Sequence, residues 1–356
     1  MKVLHVIFSG LGGHGNVVFP LIENDFGKSF DNHLVFYGVD AVNEDYISKC
    51  ENQQIPFTVI PKKQRKYLGS FKLFKEFLKS AQPDVIFIHN NELIIPATKY
   101  AKRTKAVSIY VEHENNQSKS KFMHFLSKYA LRKADSIVCL NENMVLENQK
   151  LYGEKGKTVL INNGINTSQF ENKSQTDKII FGLAGRMVEV KDHKNLISAF
   201  AKIASEFPES ELHFAGDGPL KVKLEEQTKE AGISEKVKFL GLLSEEKMVQ
   251  FYNSISVYSH ATHAENMSTA ILQAMSCGLP IITSDIENNK LIVEDGENGW
   301  LYSTGNHQDL YEKMKAAIEK KSEFKKIGAT NRNKVKELYS VDKMSLKYTE
   351  LIQSLT

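Results

Sequence analysis

Little in this chain would tie it together or anchor it from outside its own core. Among 356 residues there are three cysteines, Cys50, Cys139 and Cys277. Their spacings suit neither a disulfide framework nor a metal knuckle, so a reducing, cytoplasmic setting is expected. No apolar run approaches the roughly 18 residues that cross a bilayer, which excludes a spanning helix. The opening run Val3–Phe8 follows a single lysine and is too short for a secretory signal. Low-complexity tracts are missing. So are an Asp-x-Asp pair in a plausible place and any His/Cys cluster, and no metal is expected. Net charge is small too, at +3. That balance conceals residues 61–133, where 16 Lys and Arg stand against 5 Asp and Glu.

What is present is the material of a globular protein, 41% apolar and 25% charged, in a chain long enough for two domains with separate cores. Short apolar runs recur at Val3–Phe8, Leu34–Gly38, Phe57–Ile60, Val85–Ile88, Val107–Val111 and Ser136–Leu140, with segments of helical spacing between them. Such alternation predicts a doubly wound parallel sheet. After a polar stretch at Glu171–Thr176 the pattern restarts. Ile179–Ala184, Leu212–Ala215, Val237–Leu240, Ile255–Ser259 and Ile281–Thr283 predict a second parallel sheet. Helices are predicted over Asn16–Phe26, 120–133, Ser268–Ser276, Asn331–Tyr339 and Val341–Leu355, the last with Tyr348, Leu351 and Ile352 on one apolar face.

The first strand runs into Gly10-Leu11-Gly12-Gly13-His14-Gly15. Gly10, Gly12 and Gly15 fit the dinucleotide fingerprint G-x-G-x-x-G, with Asp40 about one strand later. An NAD(P)-dependent oxidoreductase is therefore one reading. The same glycines serve any loop whose backbone must approach a phosphate or a sugar closely.

The densest chemistry lies in Ser259–Ser284. A strand end leads to a polar loop with Glu265, then to a helix capped by Ser268 and Thr269, and then to the turn Cys277-Gly278-Leu279-Pro280. A helix that starts in a loop after a parallel strand offers free N–H groups and the positive end of its dipole to a diphosphate. An ordinary strand–helix–strand crossover would have the same outline. Gly185-Arg186 ends the first strand of the second set, and Lys191 follows. Arg brings a planar fork to phosphate oxygens and Lys a point charge, and together they offset charge on a departing diphosphate. Ala215-Gly216-Asp217-Gly218-Pro219 reads as a turn with a structural Asp217. Four histidines sit at strand ends: His113, read as functional, His89, read as satisfying a nearby carbonyl, and His260 and His263 flanking Thr262.

Taken together, these stretches resemble the retaining family-4 glycosyltransferases of the GT-B fold (glycosyl transferases group 1). Their Glu-x(7)-Glu motif falls on Glu265 and Gln273, with Gln in place of the second Glu and Asn266 where a Gly is usual. Ala274-Met275-Ser276-Cys277-Gly278-Leu279-Pro280 matches their following turn. Gly185-Arg186 and Lys191 match Gly-Arg-x(4)-Lys, and Asn163-Gly164-Ile165-Asn166 with Phe170 resembles the linker between domains. The resemblance implies two Rossmann-like domains facing across a cleft: residues 1–167, with 341–356 packing back on them, and residues 168–340, which bind the nucleotide-sugar. It implies transfer of a hexose from a UDP-sugar, with retention, to an oligosaccharide or lipid-linked acceptor in surface polysaccharide synthesis, without a cofactor.

On the same ground the catalytic set is Glu265, His113, Arg186 and Lys191. Donor binding falls to Gly12, Gly13, Gly15, Arg186, Lys191, Asn266, Met267, Ser268, Thr269 and Gln273. Gln273 and Asn266 also leave open a non-catalytic glycan-binding or partner subunit. The basic segment 61–133 contains Lys62-Lys63-Gln64-Arg65-Lys66-Tyr67, and Lys119–Lys133 interleaved with Phe122, Phe125, Leu126, Tyr129 and Leu131. Such a face suits an anionic membrane surface, or is simply solvated. No nucleic-acid motif accompanies it.

Overall fold

The computed structural model describes residues 1–10, 13–62, 67–116, 119–153, 158–172 and 177–356, and of Tyr67 the backbone only. The chain forms two compact units, Met1–Gly164 with Val341–Thr356, and Ile165–Ser340. Each is a parallel sheet with helices between its strands. The first has seven strands: β1 (Lys2–Phe8), β2 (Asp31–Gly38), β3 (Phe57–Pro61), β4 (Val85–Ile88), β5 (Val107–Glu112), β6 (Ser136–Cys139) and β7 (Thr158–Leu160). Their spatial order is β3-β2-β1-β4-β5-β6-β7.

The second sheet holds β8 (Ile180–Ala184), β9 (Glu211–Ala215), β10 (Val237–Phe239), β11 (Val257–His260), β12 (Ile281–Ser284) and β13 (Gly299–Tyr302), in the order β10-β9-β8-β11-β12-β13. Both orders reverse direction once, between β1 and β4 and between β8 and β11. In open α/β sheets the carboxyl ends of the strands at that reversal carry the ligand site.

The strands were legible because both faces of a parallel sheet are covered. β4 and β5 are buried along their whole length, so they read as unbroken apolar runs. β7 and β13 were not anticipated. With three and four residues, one following a polar segment and the other opening on Gly, they offer too little pattern. The predicted helix Asn16–Phe26 is two helices, Gly15–Glu23 and Asp25–Ser29, divided at Asn24, whose side chain accepts from Asp25 N–H at 2.8 Å. The helix expected from Asn331 begins earlier, at Phe324, and ends at Leu338. The final helix, Val341–Leu355, lies against the first unit. Phe26 N–H donates to Ser345 Oγ at 3.0 Å, and Tyr348 meets Phe26 and Phe87 edge-on.

In the second unit, helix Thr269–Ser276 is fixed at both ends. Ser268 Oγ accepts from Ile271 N–H at 3.3 Å. At the other end Asn331 donates to the Leu279 carbonyl at 2.8 Å, and Arg332 caps the Ser276 and Phe170 carbonyls. Both residues lie on helix Phe324–Leu338, which comes so close that a Cβ on Gly328 would sit 2.1 Å from the Gly278 carbonyl oxygen. Gly328→Ala must therefore part the two helices or strain them. A loss of about 1–3 kcal/mol is expected, the usual cost of overpacking, seen as a lower urea midpoint at unchanged slope. An unchanged midpoint would show that the contact constrains nothing.

Candidate functional site

In the second unit, residues far apart in sequence converge past the ends of β8 and β11. Lys191 lies in a short turn, Glu189–Lys191, and Glu265 in the loop after β11. Lys191 Nζ donates to Glu265 Oε2 at 2.5 Å, and His260 Nε2 lies 3.3 Å from the same oxygen. The Tyr258 hydroxyl sits behind His260, 3.1 Å from its Nδ1 and 3.1 Å from the Ala184 carbonyl. The two segments are also clipped by backbone. Val190 carbonyl accepts from Thr262 Oγ1 at 2.9 Å and from His263 N–H at 2.8 Å. His263 Nε2 lies 3.4 Å from Asp192, itself held at φ +42° as it ends the turn.

The Glu265 side chain is 19% exposed. Burial alone would raise its pKa, but the Lys191 charge and the His260 hydrogen bond prevail and hold the carboxyl well below the usual range. Burial also lowers the pKa of His260, against the pull of Glu265. Near neutral pH Glu265 is therefore ionised, and His260 Nε2 is placed to donate to it.

The other predicted residues are spread around this pair. Arg186 is exposed just beyond β8, and its guanidinium has no hydrogen bond or ion pair among the described residues. Asn266 and Met267 are buried, Asn266 N–H lying 3.3 Å from Glu265 Oε1, and Ser268 and Thr269 open the helix. Gln273 is half-buried. Its Oε1 accepts from the buried Tyr252 hydroxyl at 3.0 Å, which turns the amide N–H₂ outward from that bond. Asp217 is tied up locally, its side chain on Gly218 N–H and its carbonyl on Met187 N–H.

Sequence reasoning missed His193, which opens the next helix. It is 2% exposed, neither ring nitrogen has a hydrogen-bond partner among the described residues, and burial with Lys191 and His260 nearby lowers its pKa to about 4. Nothing in the sequence marks that histidine.

The first unit has its own cluster past β1, β4 and β5. Gly12 lies outside the described residues. Gly13 has open space where a Cβ would be, whereas a Cβ on Gly15 would meet the Tyr46 hydroxyl at 2.2 Å, so packing alone requires that glycine. His113 Nε2 lies 2.9 Å from His89 Nδ1, and the His14 ring sits 4.6 Å from that of His113. His89 thus bonds to histidines rather than to the carbonyl expected for it; His5 is its other partner. Burial depresses all these imidazoles, His14 to about 4.

Lys119 forms a buried ion pair with Glu112 at the end of β5. Lys119 reaches Glu112, Asn116 and Ser127, and Tyr110 donates to Glu112. Glu114 keeps one buried oxygen with no hydrogen-bond partner among the described residues, and burial with Glu112 beside it raises its pKa to about 7.

The basic segment is not one outward face. Lys119 is buried on Glu112, and Lys62 pairs with Glu92 at 2.7 Å, because a desolvated ammonium needs a carboxylate. Leu126 and Leu131 are core residues. Residues 63–66 lie outside the description. On helix Lys121–Lys133 the outward residues are Lys121, Phe122, Phe125, Lys128, Arg132 and Lys133. No described helix is long and apolar enough to cross a membrane.

Two family models match the chain: Glycosyltransferase Family 4 over residues 11–169, and Glycosyl transferases group 1 over 164–334. Both describe glycosyltransferases, and neither an oxidoreductase. The chain is 24% identical over 328 residues to the alpha-monoglucosyldiacylglycerol synthase of Acholeplasma laidlawii, covering 81% of each. It is 23% identical to an uncharacterized glycosyltransferase of Haemophilus influenzae, over 97% of this chain and 98% of that one. Among solved structures, HepE of Anabaena in complex with UDP and glucose has a TM-score of 0.86 at 18% identity, covering 99% of this chain and 100% of that one. Sucrose-phosphate synthase from Thermosynechococcus elongatus has a TM-score of 0.86 at 16% identity, covering 99% and 98%. At these identities the structures establish the fold, two Rossmann-like parallel-sheet domains of the GT-B type.

The Lys191–Glu265 pair has a pH signature. A carboxyl whose pKa is depressed on folding adds stability above its unfolded value, about 4.3, and loses that stability as pH falls toward its folded value. Lys191→Met removes the chief cause of the depression. The gap in unfolding free energy between wild type and variant should therefore be full at pH 6 and narrow steadily toward pH 3. Denaturant titrations at matched salt measure it, and a constant gap would disconnect Glu265 from Lys191.

Proposed function

The chain belongs to the family-4 glycosyltransferases of the GT-B fold, and on that premise we propose that it moves a hexose from a UDP-sugar to a hydroxyl of an oligosaccharide or lipid-linked acceptor, with retention at the anomeric carbon, in surface polysaccharide synthesis. The observation that carries this reading is the ionised Glu265 held by Lys191, with Arg186 exposed past the end of β8 and without a partner among the described residues. In this reading Arg186 and Lys191 hold the diphosphate and offset the charge that gathers on it as the glycosidic bond breaks. The N–H groups at Ser268 and Thr269 add the helix dipole. Charge on the leaving group is thus met by side chains and backbone, the part a cation would otherwise play. Glu265 accepts from sugar hydroxyls and faces the positive charge developing at the anomeric carbon. Gln273, with its oxygen engaged by Tyr252, offers N–H to the ribose. His113 contacts a sugar hydroxyl.

Calorimetric titration of UDP and other nucleoside diphosphates, followed by UDP release from a panel of UDP-sugars, tests the assignment. Arg186→Ala and Lys191→Ala should each reduce kcat/KM by an amount equivalent to about 2–4 kcal/mol. Near-native kcat/KM in both variants would place the diphosphate elsewhere. UDP binding with no turnover of any donor would favour a non-catalytic partner subunit.

A second feature favours a cytoplasmic enzyme that works at a membrane. Phe122 and Phe125 stand 42% and 57% exposed with stacked rings 6.5 Å apart, framed by Lys121, Lys128, Arg132 and Lys133. Apolar rings among cations suit an anionic bilayer interface, at about 1 kcal/mol per well-placed cation. Co-sedimentation with anionic vesicles should exceed that with neutral ones, fall with added salt, and drop when Phe122 and Phe125 are both changed to Ser. Equal partition into neutral vesicles would reject the idea.

A further inference from the structure

Behind Glu265 lies a series of hydrogen bonds that is one proton short. His260 Nε2 lies 3.3 Å from Glu265 Oε2, and His260 Nδ1 lies 3.1 Å from the Tyr258 hydroxyl. That hydroxyl is in turn 3.1 Å from the Ala184 carbonyl oxygen and accepts from Ala184 N–H at 3.4 Å. Both side chains, His260 and Tyr258, are buried.

The two ends of the series are fixed. The ionised Glu265 only accepts, and so does the Ala184 carbonyl. Tyr258 brings a single proton, since burial keeps its phenol un-ionised. If that proton goes to Ala184, His260 Nδ1 has to donate to the hydroxyl, while the carboxylate asks the same of Nε2. A neutral imidazole has one N–H, so one bond of the series is lost in either tautomer. The imidazolium, with an N–H on each nitrogen, satisfies every member. Burial chiefly, and then the Lys191 charge, lower the His260 pKa against the pull of Glu265 and keep the ring neutral near pH 7.

A diphosphate changes that balance. In a nucleotide sugar it carries two negative charges, so with Arg186, Lys191 and Glu265 it leaves one negative charge in excess, and a proton on His260 cancels it. We propose that His260 is the proton acceptor of this site: as a diphosphate engages Lys191, His260 takes a proton from solvent and becomes the imidazolium that donates to Glu265 and Tyr258 together. This role rests on the diphosphate site proposed above. His260 is a positioning residue that acts through Glu265, which keeps a charged partner when Lys191 turns to phosphate. The other groups facing His260 do not suit the part. Glu265 is held too far below neutrality to be protonated, and Tyr258 already has its proton. His193, also near Lys191, has no acceptor among the described residues for a second N–H. Since binding raises the His260 pKa, protons are taken up, and affinity grows as pH falls from the bound value toward the free one.

Calorimetric titration of UDP in PIPES and in Tris, which differ in ionisation enthalpy, counts the protons taken up. The terminal phosphate of UDP itself titrates at about 6. The quantity read is therefore the difference from His260→Gln, which keeps an N–H toward Glu265 and does not titrate. The wild type should take up more protons. From pH 8 to pH 6 it should gain affinity over the variant by up to about tenfold per pH unit, the limit for one proton. Tyr258→Phe, without an acceptor for Nδ1–H, should fall between the two. With no ligand present, Lys191→Met should raise the pH midpoint of the His260 ring signals in nuclear magnetic resonance spectra, signals identified by their loss in His260→Gln. An unchanged midpoint overturns the role given to His260. A raised midpoint with equal uptake by wild type and His260→Gln, or with no binding of UDP, leaves His260 governed by Lys191 but takes the diphosphate away from it. The proposed site then fails, and the proton uptake with it.

Discussion

The second unit depends on one constraint: a carboxylate withdrawn from water at a strand end has to be paired. Glu265 meets that constraint through Lys191, 74 residues away in sequence, and through His260 on the strand just before it. Attraction of unlike charges at low local dielectric strengthens the pair, while desolvation works against it. The pair therefore survives only with its geometry held from outside. Val190 supplies that hold by taking hydrogen bonds from Thr262 and His263, which join the two loops whether or not the charges are present. Below them, helix Thr269–Ser276 is pinned by Ser268 at one end and by Asn331 and Arg332 at the other.

The first unit meets the same constraint differently. Glu112 and Lys119, both nearly inaccessible, form an ion pair whose remaining valences go to Tyr110, Asn116 and Ser127. Satisfied in that way, the pair ties Lys119 back to the end of β5. The histidines themselves are kept uncharged by burial. The second unit thus holds a paired carboxylate past its strand ends, and the first a set of buried, uncharged imidazoles.

Much of this was legible in the sequence, and what was not has physical causes. Strands buried on both faces announce themselves as apolar runs, so eleven of the thirteen were placed, while β7 and β13 are too short to carry a pattern. Glu265, Lys191 and Ser268 could be named from motif and capping chemistry. The contact between the first two could not, since it depends on the strand order that sets β8 beside β11. The engagement of Gln273 by Tyr252 and the histidine row are long-range in the same sense. Lys119 misled because charge alone does not tell a solvated lysine from one sealed against a carboxylate. His193 left no trace at all, because an unpartnered ring nitrogen is a property of packing, not of composition.

The two cations of the proposed diphosphate site stand in unlike states, and that difference bears on how a donor would be received. Arg186 is exposed and has no partner among the described residues, so an arriving anion displaces only water from it. Lys191 is already committed to Glu265. An anion that takes a share of Lys191 leaves Glu265 less compensated, and a carboxylate with weaker pairing is a better acceptor for sugar hydroxyls and a stronger field for a positive centre. Phosphate binding and sugar binding are then coupled through a single ammonium group. A nucleotide sugar, which brings a diphosphate and hydroxyls in one molecule, satisfies both halves at once. A free nucleoside diphosphate satisfies only the first and leaves Glu265 short of a partner. On this argument the site favours the intact donor over the product nucleotide, with His260 and the Asn266 N–H left as donors to Glu265 in the interval.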